Sequence, residues 1–309
     1  MIRPPALRPG ARVALVAPAG PLAEGATQRA AERVARWGWE PLLGPSAGGR
    51  HGYLAAPDAA RASDLREALT APDVDAVWCL RGGYGTMRLL HEIDWGAQRE
   101  RPRALIGFSD ITALHLALQR AGVVSFHGPH PATEEFSDYS ASLLHRLLTS
   151  AEPLGRLPFP PGGPERASTL TGGQAEGRLV GGNLSLIAAT LGTPFAIRSE
   201  GALLFLEEVG EPAYRVDRLL TQLLLAGVLQ AAAGVVVGAF SDPPEEDRPG
   251  VPSLDEVVAE RLAGLGIPVA LGFPFGHVPE NATLPLGVRA RLDASAGTLE
   301  YLEAAVSDV

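Results

Sequence analysis

The chain has 309 residues and not one lysine; all 26 of its basic residues are arginine. That absence excludes several chemistries that need a primary amine: a Walker-type phosphate loop, a Schiff-base or pyridoxal enzyme, and a serine–lysine dyad. A serine nucleophile in this chain must take its base from another kind of side chain. Cysteine is almost as scarce. The single Cys79 sits in the apolar run 76–80, cannot form an internal disulfide, and reads as a small buried hydrophobe rather than a thiol nucleophile. Long apolar runs are missing as well. The best candidate, 226–240, is broken by Gln230 and several glycines and falls short of the roughly 18 residues that a membrane span needs. The opening Met1-Ile2-Arg3-Pro4-Pro5 lacks the apolar core of a signal peptide, so the expected compartment is the cytoplasm. Basic charge is in deficit, and a net charge of −9 argues against nucleic acid or an anionic membrane as a partner.

What is present is a 46% hydrophobic chain, enough for a sizeable core, with a length that suggests about two domains. Short apolar runs at 13–17, 41–43, 76–80, 104–107 and 123–127 alternate with segments of helical spacing at 28–37, 58–70, 87–90 and 110–114. Such alternation predicts a mostly parallel sheet covered on both faces, with ligands bound beyond the carboxyl ends of its strands. Residues 151–174 turn proline- and glycine-rich and then small and polar, which predicts a linker. The expected organisation is an N-terminal α/β domain over 1–150, a linker over 151–174 and a C-terminal domain over 175–309. In the latter, strands are predicted near 177–180, 202–206 and 234–239, with helices at 184–191 (capped by Asn183), 219–225 and 254–265. Two strands flank a turn at 293–297.

The chemistry gathers at the strand ends. In Gly107-Phe108-Ser109-Asp110 an apolar strand breaks at a serine and continues with helical spacing, so Ser109 stands at a sheet edge where the following helix aims N–H groups at the adjacent space. Serine before aspartate also suits a helix N-cap, and the residues alone leave nucleophile and cap both open. The turn Arg81-Gly82-Gly83-Tyr84-Gly85 ends the preceding strand on the same edge. Its N–H groups either complete an oxyanion hole or merely turn the chain, and its spacing does not fit a dinucleotide fingerprint. His127 and His130 end the next strand and are candidates for a pocket wall. A serine nucleophile needs an imidazole and an acid to orient it. Glu207 at a strand end and His277 in a glycine-flanked loop supply the order Ser109, Glu207, His277, although each also reads as an ordinary strand-end charge and an ordinary loop histidine.

Five blocks in order, Arg81–Gly85, Gly107–Asp110, Gly181-Gly182-Asn183-Leu184, Leu206-Glu207-Glu208 with Tyr214-Arg215-Val216-Asp217-Arg218, and Phe275-Gly276-His277, resemble the LD-carboxypeptidase family of serine peptidases. The resemblance runs from 17–20 to 284–287. It implies a flavodoxin-like N-terminal domain carrying the nucleophile and a smaller, β-rich mixed α/β C-terminal domain carrying acid and base. It implies Ser109 as nucleophile, Glu207 as acid and His277 as base, with Asp110, Gly82 and Gly83 around the oxyanion. Arg81, Tyr84 and Asn183, within the same blocks, become candidates for substrate contact. The implied activity is removal of the terminal D-alanine from cytoplasmic muropeptides in wall recycling by a homodimer, with no metal or cofactor. The lack of any cluster with zinc-ligand spacing agrees with that. A related branch hydrolyses peptide-nucleotide antibiotics and is expected to bring aromatic residues to the nucleotide, whereas residues 156–176 offer only Phe159. A non-catalytic muropeptide-binding protein is the alternative of another class.

Overall fold

Strand β1 (Arg12–Val16) is buried along Val13, Ala14, Leu15 and Val16, which is why the run is uniformly apolar instead of alternating. It nucleates the first sheet in the computed structural model, which describes residues 1–244 and 250–308. Helix α1 (Ala26–Arg36), β2 (Glu40–Leu43), α2 (Asp58–Thr70), β3 (Ala76–Cys79), β4 (Ala104–Gly107), α3 (Thr112–Ala121), β5 (Ser125–His127) and α4 (Asp138–Thr149) follow in sequence. Strands β2, β1, β3, β4 and β5 lie side by side in that order, all parallel. This is the parallel sheet that the alternating pattern predicts, in the flavodoxin-like strand order that the family resemblance implies. Where a helix is expected over 87–90 the chain makes a single 3-10 turn, Thr86–Leu89.

The chain divides into two compact units, the first made of 1–152, 282–287 and 304–309, the second of 153–281 and 288–303. Residues 151–174, expected as a linker, instead carry β6 (Gly155–Arg156) and β7 (Ser168–Thr171). Their backbone groups are satisfied in the ladder of the second sheet, and only the proline- and glycine-rich stretch between them stays outside it. Then come β8 (Gln174–Asn183), α5 (Leu184–Thr190), β9 (Leu203–Val209), α6 (Ala213–Leu225), α7 (Val228–Ala231), β10 (Gly234–Ser241), α8 (Leu254–Ala263) and β11 (Val269–Leu271). Helix α6 starts six residues before the expected 219, since Ala213 and Val216 already face its buried side. Strands β8 to β11 are parallel neighbours.

Next, β12 (Leu284–Leu286) pairs antiparallel with β5, and only β13 (Arg289–Asp293) and β14 (Thr298–Tyr301) return to the second sheet. The second unit is therefore not the continuous 175–309 that was expected. Segments 282–287 and 304–309 belong to the first unit, drawn there by β-pairing to Ser125–His127 and by the backbone bonds between Ser307 and the Pro4–Ala6 segment.

Candidate active site

In the first unit, β4 ends at Gly107 and the chain turns at Ser109, whose φ of 61° lies in the left-handed region that side chains other than glycine avoid. A backbone held there costs on the order of 1–3 kcal/mol and persists only when its surroundings fix it. The next residue supplies that fixation. Asp110 is buried, its Oδ2 accepts the Thr86 N–H at 2.9 Å, and its own carbonyl accepts the Thr86 hydroxyl at 2.6 Å. Burial raises the Asp110 pKa, opposed by the hydrogen bonds of Thr86 and Gly85 and by the charge of Arg61. Ser109 is not the capping residue: the cap of the short 109–111 turn falls on Phe108 and that of α3 on Ile111. The strained serine is partly exposed at the sheet edge.

Gly82 lies against it. A Cβ on Gly82 would stand 2.9 Å from Ser109 Cβ, 3.1 Å from its Oγ and 3.3 Å from the Asp110 nitrogen, so no other residue fits without displacing the serine. Gly82 thus packs directly on Ser109 beside the Asp110 nitrogen, and among the described residues neither the Gly82 nor the Gly83 N–H has a backbone acceptor.

Two buried side chains that sequence reasoning did not single out brace this edge. Arg61 donates to the carbonyls of Pro18, Ala56 and Gly85, tying three loops together, and pairs with Asp58. His115 bridges Ser125 Oγ at 2.9 Å and the Gly107 carbonyl at 2.8 Å. Because a carbonyl only accepts, Nε2 carries the proton and Nδ1 accepts from Ser125. Burial pushes the His115 pKa down to about 4, so this tautomer is neutral at ordinary pH. The signal available in the sequence was an arginine beside the apolar face Ala62, Leu65 and Leu69 of α2 and a histidine within the apolar run of α3.

In the second unit, Glu207 of β9 is fully buried and its Oε2 accepts the His277 Nδ1–H at 2.7 Å. That bond sets the tautomer and leaves Nε2 as the basic nitrogen. Gly276 has φ 112° and brings the loop so close that a Cβ would sit 3.0 Å from Glu207 Cβ. The loop is pinned on either side of the histidine, by Phe275 packed edge-to-face on Phe205 and by Asn281, which accepts the Gly276 N–H. Burial raises the Glu207 pKa, the hydrogen bond and charge of His277 lower it, and Glu208 raises it further. Glu208 has other work: it accepts from Asn183 Nδ2, the Ser185 N–H and the Val209 N–H.

The remaining sequence candidates separate. Asn183 is buried, caps α5 through the Leu186 N–H, holds Glu208 and also hydrogen-bonds Glu207. Arg81 is exposed, with one N–H on the Pro21 carbonyl at 2.6 Å. Tyr84 is 51% exposed and meets Tyr53 edge-to-face. His130 lines a cavity beside Phe108, while His127 is buried. Cys79 is fully buried and its thiol pKa is raised by burial and by Asp110, which leaves no thiolate nucleophile. Among the described residues no group of three or more His, Cys, Asp or Glu side chains could hold a metal ion, and no helix is long and apolar enough to cross a membrane.

One unit thus offers a strained serine packed against a glycine turn, the other an imidazole oriented by a buried carboxylate. Residues 13–128 match the LD-carboxypeptidase N-terminal domain and residues 176–292 match the LD-carboxypeptidase C-terminal domain. The chain belongs to the LD-carboxypeptidase family. Membership makes it a peptidase. It is similar to the murein tetrapeptide carboxypeptidase of Pseudomonas aeruginosa, at 36% identity over 92% of this chain and 94% of that one. The crystal structure of muramoyltetrapeptide carboxypeptidase from Oxalobacter formigenes superposes with a TM-score of 0.83 at 33% identity, covering 94% of this chain and 97% of that one. The microcin C7 self-immunity protein MccF shares the fold, with a TM-score of 0.89 at 24% identity, over 99% of this chain and 100% of that one.

Proposed function

We propose that this LD-carboxypeptidase is a serine peptidase that hydrolyses the L,D bond to the terminal D-alanine of cytoplasmic muropeptides, without metal, in peptidoglycan recycling. His277 Nε2 takes the Ser109 proton, the alkoxide attacks the carbonyl before D-alanine, and Glu207 stabilises the imidazolium. The amine of D-alanine leaves with a proton from His277, and water then hydrolyses the acyl-enzyme by the same base. The N–H groups of Asp110 and of Gly82 or Gly83 hold the oxyanion, each worth roughly 3 kcal/mol to the transition state. Catalysis requires the Ser109 hydroxyl to come within hydrogen-bond reach of His277, and a homodimer is the expected assembly.

The observation that carries this reading is the backbone of Ser109, a left-handed serine at a strand-to-helix turn with Gly82 pressed against it. A fold has no use for strain at that residue, whereas a nucleophile must stand clear of its sheet. The murein peptides named for its relatives supply the substrate class. Against the microcin-type reading, Phe159, the one aromatic side chain of 156–176, packs on Phe273 at 5.8 Å. Incubation with a muropeptide tetrapeptide, followed by mass spectrometry, tests the proposal. The wild type releases D-alanine and Ser109→Ala does not, with an unchanged melting temperature; turnover in Ser109→Ala refutes it.

A further inference from the structure

A carboxypeptidase must tell the last residue of a peptide from an internal one, and the difference is a negative charge. With no lysine in the chain, that charge can be met only by arginine or by backbone N–H groups. Most arginines near the edge that bears Ser109 are already committed. Arg61 is fully buried on three carbonyls, Arg88 pairs with Asp58, and Arg33 is held by the carbonyls of Pro131 and Thr133 under the ring of Phe136. Arg81 differs. It is exposed, one N–H is fixed by the Pro21 carbonyl, and among the described residues it makes no ion pair.

Arg81 and Arg29 line a cavity of about 250 Å³ in the first unit. The cavity is small beside the roughly 300–1,000 Å³ of sites for drug-sized ligands. Leu80 and Arg81 enter it from the end of β3 and Phe108 from the end of β4, two neighbouring strands. Two of its lining residues adjoin the candidate nucleophile in the chain: Phe108 directly precedes Ser109, and Arg81 directly precedes the Gly82 that packs on Ser109. Ala23, Ala26, Leu80 and Ala132 make its wall apolar, and its one acid is Glu134. Glu134 is 84% exposed and stands 3.7 Å from Arg29, a screened pair that an incoming carboxylate can replace at little cost.

We infer that this cavity takes the free carboxylate and small side chain of the residue to be released, with Arg81 as the principal cation, Arg29 as the second and the alanine-lined wall against the methyl group. The inference rests on the carboxypeptidase reading above and assigns its leaving-group subsite. It makes Arg81 a determinant of specificity for a chain terminus, acting on substrate binding rather than on the Ser109 proton.

The test compares a muropeptide tetrapeptide ending in free D-alanine with the same peptide ending in D-alanine amide, on the intact protein. The wild type prefers the free acid. Arg81→Gln lowers the acid-to-amide ratio of kcat/KM by about 30-fold, chiefly through KM of the acid, and Arg29→Gln lowers it by less. An unchanged ratio in Arg81→Gln overturns the inference, even where the absolute rates fall. Should the wild type cleave neither peptide, the carboxypeptidase reading is what fails, and D-alanine itself becomes the probe of the cavity. Its binding, followed by saturation-transfer NMR, is then expected in the wild type and lost in Arg81→Gln; no binding, or binding retained in the variant, overturns the inference independently.

Discussion

Two strand ends in this molecule end in the same way, with a residue suited to chemistry followed at once by a buried acid. After β4 these are Ser109 and Asp110; at the end of β9 they are Glu207 and Glu208. In each pair the second residue is the anchor. Asp110 is bound to Thr86, and Glu208 collects three donors from Asn183, Ser185 and Val209. The first residues differ in how they are exposed. Ser109 is strained and partly open, whereas Glu207 is extended, fully buried and met by His277 and by the amide of Asn183. The difference suits the roles proposed for them. A nucleophile has to be reached by substrate, and an acid that orients an imidazole works best out of water, where its field is strongest. On the proposed mechanism the adjacent carboxylates of β9 serve opposite ends, one chemical and one architectural.

The sharpest break in this comparison is between the two glutamates. Glu207→Gln keeps the shape but removes the charge that orients His277, and kcat should fall by about 10⁴, with little change in stability. Glu208→Gln should do the reverse, costing roughly 2 kcal/mol of stability through its three donors while activity falls far less. Steady-state kinetics and urea melts on both variants decide it, and equal losses of activity would erase the distinction.

The serine strand end is probed by Gly82→Ala. The added methyl meets Ser109 Cβ at 2.9 Å and must shift either the hydroxyl or the neighbouring donor, so kcat should fall by about 10² with the fold retained. Wild-type turnover would remove Gly82 from the oxyanion site.

A smaller effect concerns the brace behind Ser109. The folded pKa of His115, about 4, lies below the unfolded value of about 6.5, so its contribution to stability is complete above pH 6.5. As pH falls towards 4 that contribution is lost, amounting to about 3 kcal/mol. Asp110 and Glu207 run the other way, because their raised pKa values favour the folded state at low pH and lose that advantage as pH rises. The difference between wild type and His115→Gln isolates the histidine: denaturant unfolding at pH 7 and pH 4 should show a shallower loss in the variant, and parallel losses would contradict the assignment.

Much of this was legible in the chain itself. The alternation that builds β1 to β5, the break at Ser109 and the Asn183 cap are local signals, set by hydrophobic period and by hydrogen bonds within a few residues. What was not legible depends on partners far away in sequence. Gly155–Arg156 and Ser168–Thr171 look like linker because two- and four-residue strands have no period to read, and only β14 and β11 make them strands. The pairing of Leu284–Leu286 with β5 likewise leaves no mark in either segment, and it is what divides the second unit. Asn183 sits in a block that suggests substrate contact, and beyond the Leu186 cap the bonds of its buried amide to Glu208 and Glu207 depend on partners that its own segment does not reveal. Arg61 was passed over because a lone arginine in an apolar helix pattern reads as solvent-facing until the loops it ties are seen.

The central claim is that Ser109 and the Glu207–His277 pair act as one unit, and a double-mutant cycle measures that directly. Turnover of a muropeptide tetrapeptide is compared in Ser109→Ala, His277→Ala and the double variant. Residues of one catalytic unit are strongly non-additive, so each single variant should lose several orders of magnitude and the double variant should be no slower than the worse single one. Near-normal turnover in His277→Ala, or losses that multiply in the double variant, would contradict the account.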